Sequence, residues 1–248
     1  MFYCCGITDT GAVRDHNEDA FLIYRSVITD AGLECEVNAP FIAAVADGVA
    51  GEAAGEVASR TALNELRTIK PSSNMDYTKK VLDIHRVLRR RGKSGNNPNM
   101  QTTLCAIAID ENENATIINV GDSKLFRFRG GKIRQLSTDQ SLVQMLYDQG
   151  EITAEEKKRH IHRNVIFPVL GNMDADPKIA VTPIEGGICP GDLILICSDG
   201  LADYITTGEF EEALSLPMRL PKRLSTLIKL AKEGGSTDNI TVVGLSLT

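Results

Sequence analysis

Apolar runs of five or six residues recur along this chain, and acidic residues repeatedly stand where they stop. Phe41-Ile-Ala-Ala-Val-Ala46 ends in Asp47-Gly48, Ala115–Val120 in Gly121-Asp122, and Leu193–Cys197 in Ser198-Asp199-Gly200. Asp238-Asn239 immediately precedes Ile240-Thr-Val-Val243, and Glu18-Asp19 immediately precedes Ala20-Phe-Leu-Ile-Tyr24. The runs over 41–46, 115–120, 193–197 and 240–243 read as strands, while 20–24 is an apolar segment. Strands stacked in one core can bring such ends together at a single edge. That edge would gather Glu18, Asp19, Asp47, Asp122, Asp199 and Asp238, and six carboxylates in one cleft demand cations. Taken singly, Asp47 and Asp199 read as turn residues rather than ligands, because strands end in turns and Asp-Gly is a common one.

What shifts the balance is the stretch Arg14-Asp-His-Asn-Glu-Asp19 near the front of the chain and Thr237-Asp-Asn-Ile-Thr241 near its end. Alone, an acidic hexapeptide reads as solvated surface. Adjacent carboxylates repel unless a cation sits between them, and a hard divalent metal is the natural partner. An all-oxygen set with no His or Cys suits Mg²⁺ or Mn²⁺ better than Zn²⁺. Arg14 cannot serve a metal, but its planar fork suits a phosphate or a carboxylate held alongside.

Composition bounds the rest. The chain has 248 residues, 42% of them hydrophobic, enough for a substantial core, and one domain over 1–248 is expected. A net charge of −6 and a pI near 5.3 argue against nucleic acid or anionic membrane as the main partner. The basic group Arg86, Arg89, Arg90, Arg91 and Lys93 reads as a solvated helix face. The cysteines at 4, 5, 35, 105, 189 and 197 show no Cys-x-x-Cys spacing, and Cys105, Cys189 and Cys197 lie in or beside apolar runs. Reduced, mostly buried thiols in a cytoplasmic protein explain this pattern. Neither a signal peptide nor a transmembrane segment is expected, and the protein is expected to be a soluble monomer. His16, His85, His160 and His162 read as exposed residues on loops or near helices.

Helical spacing predicts helices over 52–66 and about 76–90, with a flexible connection over 92–99. Strands are expected over 102–109, 115–120, 125–128 and 132–136, the last two joined by a hairpin at Arg129-Gly130-Gly131. Helices follow over 139–149 and 153–160, the second opened by a Thr153/Glu156 capping box. Strands over 179–184 and 192–197, helices over 209–216 and 221–232, and a strand over 240–247 complete the chain. The order predicts an α+β fold with helices packed outside antiparallel sheets.

Thr8-Asp-Thr-Gly-Ala-Val-Arg-Asp-His-Asn-Glu-Asp-Ala20, Val45-Ala-Asp-Gly-Val-Ala-Gly51 with Gly55-Glu-Val-Ala-Ser59, Val120-Gly-Asp-Ser-Lys124, Cys197-Ser-Asp-Gly-Leu201 and Ser236-Thr-Asp-Asn-Ile-Thr-Val-Val243 together resemble the metal-dependent protein phosphatases of type 2C, in their bacterial form. The motifs agree in order and spacing over nearly the whole chain. The resemblance implies a four-layer α-β-β-α sandwich with a dinuclear Mn²⁺ or Mg²⁺ centre at one edge. It implies that Asp47 bridges the two metals and that Gly48 contributes its carbonyl oxygen. Glu18 would complete one metal's ligands, and Asp199 with Asp238 would serve the other. Asp19 would hold metal-bound water from behind, and Asp122 with Asp199 would bind a third, weaker metal. Arg14 matches the arginine that grips the substrate phosphate, and 144–171 matches a mobile flap beside the cleft.

This chain departs from the family pattern at several places. Val49 stands where eukaryotic relatives have a His, Glu52 where many bacterial members have one, and Gln140 where a His is frequent. Gln101 replaces a Gly, Lys124 an Arg, and Phe167-Pro168-Val169 the usual Thr-Arg-Ala. None of these removes an expected ligand. The expected activity is hydrolysis of phosphoserine and phosphothreonine in proteins, targets of a serine/threonine kinase, by a water activated between two cations. Two other readings stand beside it: a silent binding module of the same fold, and a different two-metal hydrolase such as a nuclease. The acidic charge and the lack of aromatic residues among the basic stretches count against the nuclease.

Overall fold

A computed structural model of the chain describes residues 1–49, 53–94 and 99–247. The chain opens with β1 (Phe2–Asp9), β2 (Ala20–Ile23), β3 (Ser26–Ile28), β4 (Ala31–Val37) and β5 (Phe41–Ala46). Helices α1 (Ala53–Leu66) and α2 (Tyr77–Ser94) precede β6 (Leu104–Ile109), β7 (Ala115–Val120), β8 (Lys124–Arg129) and β9 (Lys132–Gln135). Two short helices, α3 (Leu142–Asp148) and α4 (Ala154–Arg159), lead to β10 (Ala180–Pro183) and β11 (Leu193–Cys197). Then come α5 (Asp199–Ala202), α6 (Thr207–Ser215), α7 (Leu220–Glu233) and β12 (Ile240–Leu247).

The strands form two six-stranded sheets, ordered β4-β1-β12-β11-β8-β9 and β10-β7-β6-β5-β2-β3. Every ladder within them is antiparallel. Three apolar clusters stack the layers. Phe2, Phe21, Phe41, Ile107, Ile196 and Leu245 fill the space between the sheets. Leu63 and Leu66 of α1 with Val81 and Leu88 of α2 cover one outer face, and Leu214, Leu224 and Leu227 of α6 and α7 cover the other. Strands buried on both faces explain the uninterrupted apolar runs of β5, β6 and β11, since neither side can carry a polar residue. The result is the α+β sandwich, in four layers.

Several expectations need correction. β1, β2, β3, β4 and α5 lie outside the elements expected above. Helix α2 runs on to Ser94 instead of stopping at 90, because Arg91 ties its last turn to α1, donating to Thr61 Oγ1 at 3.3 Å and lying 3.9 Å from Glu65. Residues 95–98 of the expected connection, and Glu52, lie outside the described residues. His85 is buried rather than exposed, since it shares the inner face of α2 with Val81, Ile84 and Leu88. All six cysteines are unpaired. Cys4, Cys5, Cys105 and Cys197 are buried, while Cys35 and Cys189 are half-buried.

Candidate active site

Register brings the acidic residues to one edge. Ala20 is paired with Ala46, so Asp19 and Asp47 follow side by side just beyond the β2·β5 ladder. Asp47 is then fixed from the two residues just before β6: its N–H donates to Thr103 Oγ1 at 3.1 Å, and its carbonyl accepts from Thr103 N–H and Thr102 Oγ1, both at 2.8 Å. β7 ends at Gly121-Asp122, where Gly121 adopts φ +97° and a Cβ would lie 2.8 Å from Thr103 Cγ2. Glycine is required there. In the other sheet, Cys197 at the end of β11 is paired with Val242, which sets Asp199 beside the start of β12 and Asp238.

The loop carrying Arg14 and Glu18 is held by one buried side chain. Asn239 Oδ1 accepts from Glu18 N–H at 2.8 Å, and Asn239 Nδ2 donates to the Thr10 and His16 carbonyls at 2.9 and 3.0 Å. Behind it, Thr8 and Thr241 hydroxyls are 2.7 Å apart, and Asn17 Nδ2 donates to Thr8 Oγ1 at 2.7 Å. Arg14 Nη2 donates to Asp238 Oδ2 at 2.8 Å, with both side chains open to the cleft.

Electrostatics mark these carboxylates as costly neighbours. Burial pushes the Asp47 carboxyl well above its usual range, and repulsion from Asp19, Asp199, Asp122 and Asp238 adds to it. Asp19 rises to about 7 for the same first reason, although hydrogen bonds from Thr241 and Ser198 oppose the shift. Ser198 Oγ donates to Asp19 Oδ2 at 2.8 Å. Asp199 rises to about 6 through burial and then Asp203 and Asp238. Burial also raises Asp122, with Asp199 and Asp203 contributing and Lys124 opposing, and burial raises Glu18.

Two of these oxygens, Glu18 Oε1 and Asp199 Oδ1, are buried without any hydrogen-bond partner. His16 Nε2 lies 3.5 Å from Glu18 Oε1. A Cβ on Gly55 would sit 2.7 Å from that same oxygen, so the bare glycine keeps the space in front of Glu18. Among the described residues, no three His, Cys, Asp or Glu side chains are already closed around one ion-sized point. The set nevertheless fits hard divalent cations. Its donors are all oxygens, two of its buried oxygens have no hydrogen-bond partner, and its mutual repulsion is what a cation would offset.

A cleft of about 830 Å³ opens from this edge, bounded by Arg14, Asp122, Asp199 and Asp238 on one side and by Tyr147 and Arg163 on the other. Lys124 underlies it, bonded to Asp203 and 3.9 Å from Asp139, which in turn lies 3.4 Å from Lys157 of α4. Three of the departures from the family pattern, Lys124, Gln140 and Gln101, have local contacts. Gln140 Oε1 accepts from Gly121 N–H at 2.9 Å and so braces the turn that presents Asp122. Gln101 accepts from Val49 N–H through its carbonyl and from Asn172 through its side chain, both at 3.0 Å. Sequence reasoning did not single out Asn239, Ser198, Thr8 or Thr241 as parts of the site. A hydroxyl or amide inside or beside an apolar strand was the available signal.

The chain belongs to the protein phosphatase 2C family, whose model matches residues 16–228. It is similar to the serine/threonine protein phosphatase PstP of Mycobacterium tuberculosis, 33% identical over 95% of this chain, and spans 43% of that protein's length. It is 30% identical to the protein phosphatase PhpP of Streptococcus pneumoniae, covering 97% of this chain and 96% of PhpP. Among solved structures it resembles the catalytic domain of PstP in complex with two manganese ions, with a TM-score of 0.78, 28% identity and 99% of both chains covered.

Proposed function

We propose that this chain is a metal-dependent protein serine/threonine phosphatase that hydrolyses phosphoserine and phosphothreonine by direct attack of water. One observation carries the reading: a family member gathers six carboxylates at joined strand ends and leaves oxygens of Glu18 and Asp199 without partners. On this reading Asp47, the Gly48 carbonyl, Glu18, Asp199 and Asp238 would hold two cations between them. Asp19 lies behind them, and Asp122 with Asp199 offers a third, weaker position. The two manganese ions in the PstP complex support Mn²⁺, and the all-oxygen donor set accommodates Mg²⁺ as well. When bound, the cations supply a water of lowered pKa and offset charge in the transition state.

The chain's own residues position the reaction. Ser198 and Thr241 hold Asp19 as an acceptor. Asn239 keeps Arg14 and Glu18 on one loop of fixed shape. Arg14 binds the phosphoryl oxygens, and with five donors in its fork it can keep Asp238 while doing so. Val49 has no proton to give, so the leaving alkoxide would take its proton from water, with His16 beside Glu18 the more distant candidate. The flap over 144–171 forms the far wall of the cleft and selects among substrates, which we take to be the targets of a serine/threonine kinase in signal transduction. Six unpaired cysteines support a reducing compartment, the cytoplasm. We read residues 1–248 as one domain, active as a monomer.

The test is hydrolysis of a phosphothreonine peptide with and without Mn²⁺, beside Asp199→Asn. Metal-dependent turnover that falls at least about 100-fold in the variant, about 2.7 kcal/mol of transition-state stabilisation, is expected. A folded, metal-loaded wild type without turnover would sink the proposal and leave a binding module.

A further inference from the structure

β4 is the outermost strand of its sheet, and its neighbour within that sheet is β1. Their register sets Cys4 directly opposite Cys35. β4 alternates, with Leu33, Cys35 and Val37 turned inward and Glu34 and Glu36 outward. Cys4 is fully buried between the sheets, and Cys35 packs half-buried against the same cluster. The two thiols therefore share one face of one antiparallel pair. Cys5 belongs to the opposite face, against Leu195 and Leu227. Among the described strand ladders, no other two cysteines are partners.

Residues directly opposite in antiparallel strands have Cα atoms about 4.5–5.5 Å apart, inside the range of roughly 4.4–6.8 Å that disulfides span. Their Cβ atoms, about 4.5–5.5 Å apart, need to approach by up to about an ångström to reach disulfide geometry. An edge strand with one partner can make that adjustment more readily than a central one.

We propose that Cys4 and Cys35 are an oxidation site, forming a reversible cross-strand disulfide by exchange with a small-molecule disulfide such as oxidised glutathione. Cys35, the more accessible thiol, gives its proton to water and attacks one glutathione sulfur. The glutathione S–S bond breaks, and one glutathione thiolate leaves. Cys4 then loses its proton and attacks Cys35 Sγ, which expels the second glutathione thiolate and leaves Cys4–Cys35 bonded. Two protein thiols have given up two electrons, and one glutathione disulfide has become two thiols. Burial holds the Cys4 thiol up at about 12 and raises Cys35, so thiolate is scarce and the pair stays reduced until oxidant persists. The loop closed by the bond contains Arg14, Glu18 and Asp19.

The test incubates the full metal-loaded chain with oxidised glutathione, quenches in denaturant with N-ethylmaleimide and maps peptides by mass spectrometry with fragmentation. The expected product links the Cys4 and Cys35 peptides with loss of two hydrogens, and dithiothreitol reverses it. Cys189, half-buried and outside any strand pair, is the internal control and carries a glutathione adduct instead. Cys35→Ser abolishes the link and leaves Cys4 free to alkylate. A stable glutathione adduct on Cys35 beside an alkylated Cys4, or links joining other cysteines, would overturn the proposal.

Discussion

Arg14 and His85 show how one side chain's surroundings fix what it can do. Arg14 reaches the cleft through a loop pinned by Asn239 and meets Asp238 at 2.8 Å, leaving the rest of its fork for an anion. Lysine at this position keeps the charge and loses the fork. Arg14→Lys is therefore expected to raise KM for a phosphopeptide roughly tenfold, about 1.4 kcal/mol, with kcat within about threefold of wild type. Steady-state kinetics with saturating Mn²⁺ checks this, and an unchanged KM would remove Arg14 from phosphate binding. His85 is no part of that cleft's lining, and its Nδ1 accepts from Gly171 N–H at 3.0 Å, which requires the neutral ring. Burial first, then Arg89, holds its pKa below the usual 6.5, with Asp176 opposing. The unfolded chain thus takes up the proton more readily than the folded one. His85 contributes its full stability above about pH 6.5 and loses it as pH falls through the lower folded value. The difference in urea midpoint between wild type and His85→Gln should shrink from pH 7.5 to 5.0; a constant difference would contradict this account.

At the scale of elements, helix ends carry distinct and separable energies. Thr206 caps α6, its Oγ1 accepting from Glu209 N–H, while the Glu209 carboxylate accepts from Thr206 N–H. Thr206→Ala should cost about 1 kcal/mol in a denaturant titration without changing the slope. A loss under about 0.3 kcal/mol would mean that packing of Phe210 and Leu214 alone holds the helix. The same pattern at Thr153 and Glu156 is legible in the sequence alone, because a capping box is local. So is the β8–β9 hairpin, where Gly130 and Gly131 take φ +57° and +79° between Arg129 and its partner Lys132. β4 is passed over by a reading for uninterrupted apolar runs, although Leu33, Cys35 and Val37 alternate with outward Glu34 and Glu36 in the period of a half-buried strand. α5 spans four residues, too few for helical periodicity to register. His85 misleads because its polarity suggests exposure, whereas its spacing from Val81 and Leu88 puts it on the covered face of α2.

At the scale of the whole molecule, the candidate ligands can be named from strand ends, but their supports cannot. Asn239 and Glu18 are 221 positions apart, and Ser198 and Asp19 are 179 apart, so only the stacking of two sheets brings them together. The same assembly creates a liability that metal should relieve. Asp19 at about 7 and Asp199 at about 6 both stand above the 3.8 of an ordinary aspartate. Without metal, the folded state holds protons there that the unfolded state has released. The stabilising proton is present in mild acid and is lost as pH rises through 6 and 7, so the slope of stability with pH is negative in that window. Chelated protein should therefore melt at a lower temperature at pH 8 than at pH 6. Mn²⁺ should reverse the difference, since it binds the ionised carboxylates of the folded state alone. Asp199→Asn removes one of the repelling charges and should raise the melting temperature of chelated protein at pH 8 by about 3–6 °C, for about 1–2 kcal/mol relieved. The same variant should gain little from Mn²⁺. Calorimetry of both proteins in chelator and in Mn²⁺ decides the matter. If Asp199→Asn melts lower than wild type in chelator and responds equally to Mn²⁺, the carboxylates are not held together by metal, and Asp199 serves the fold rather than the site.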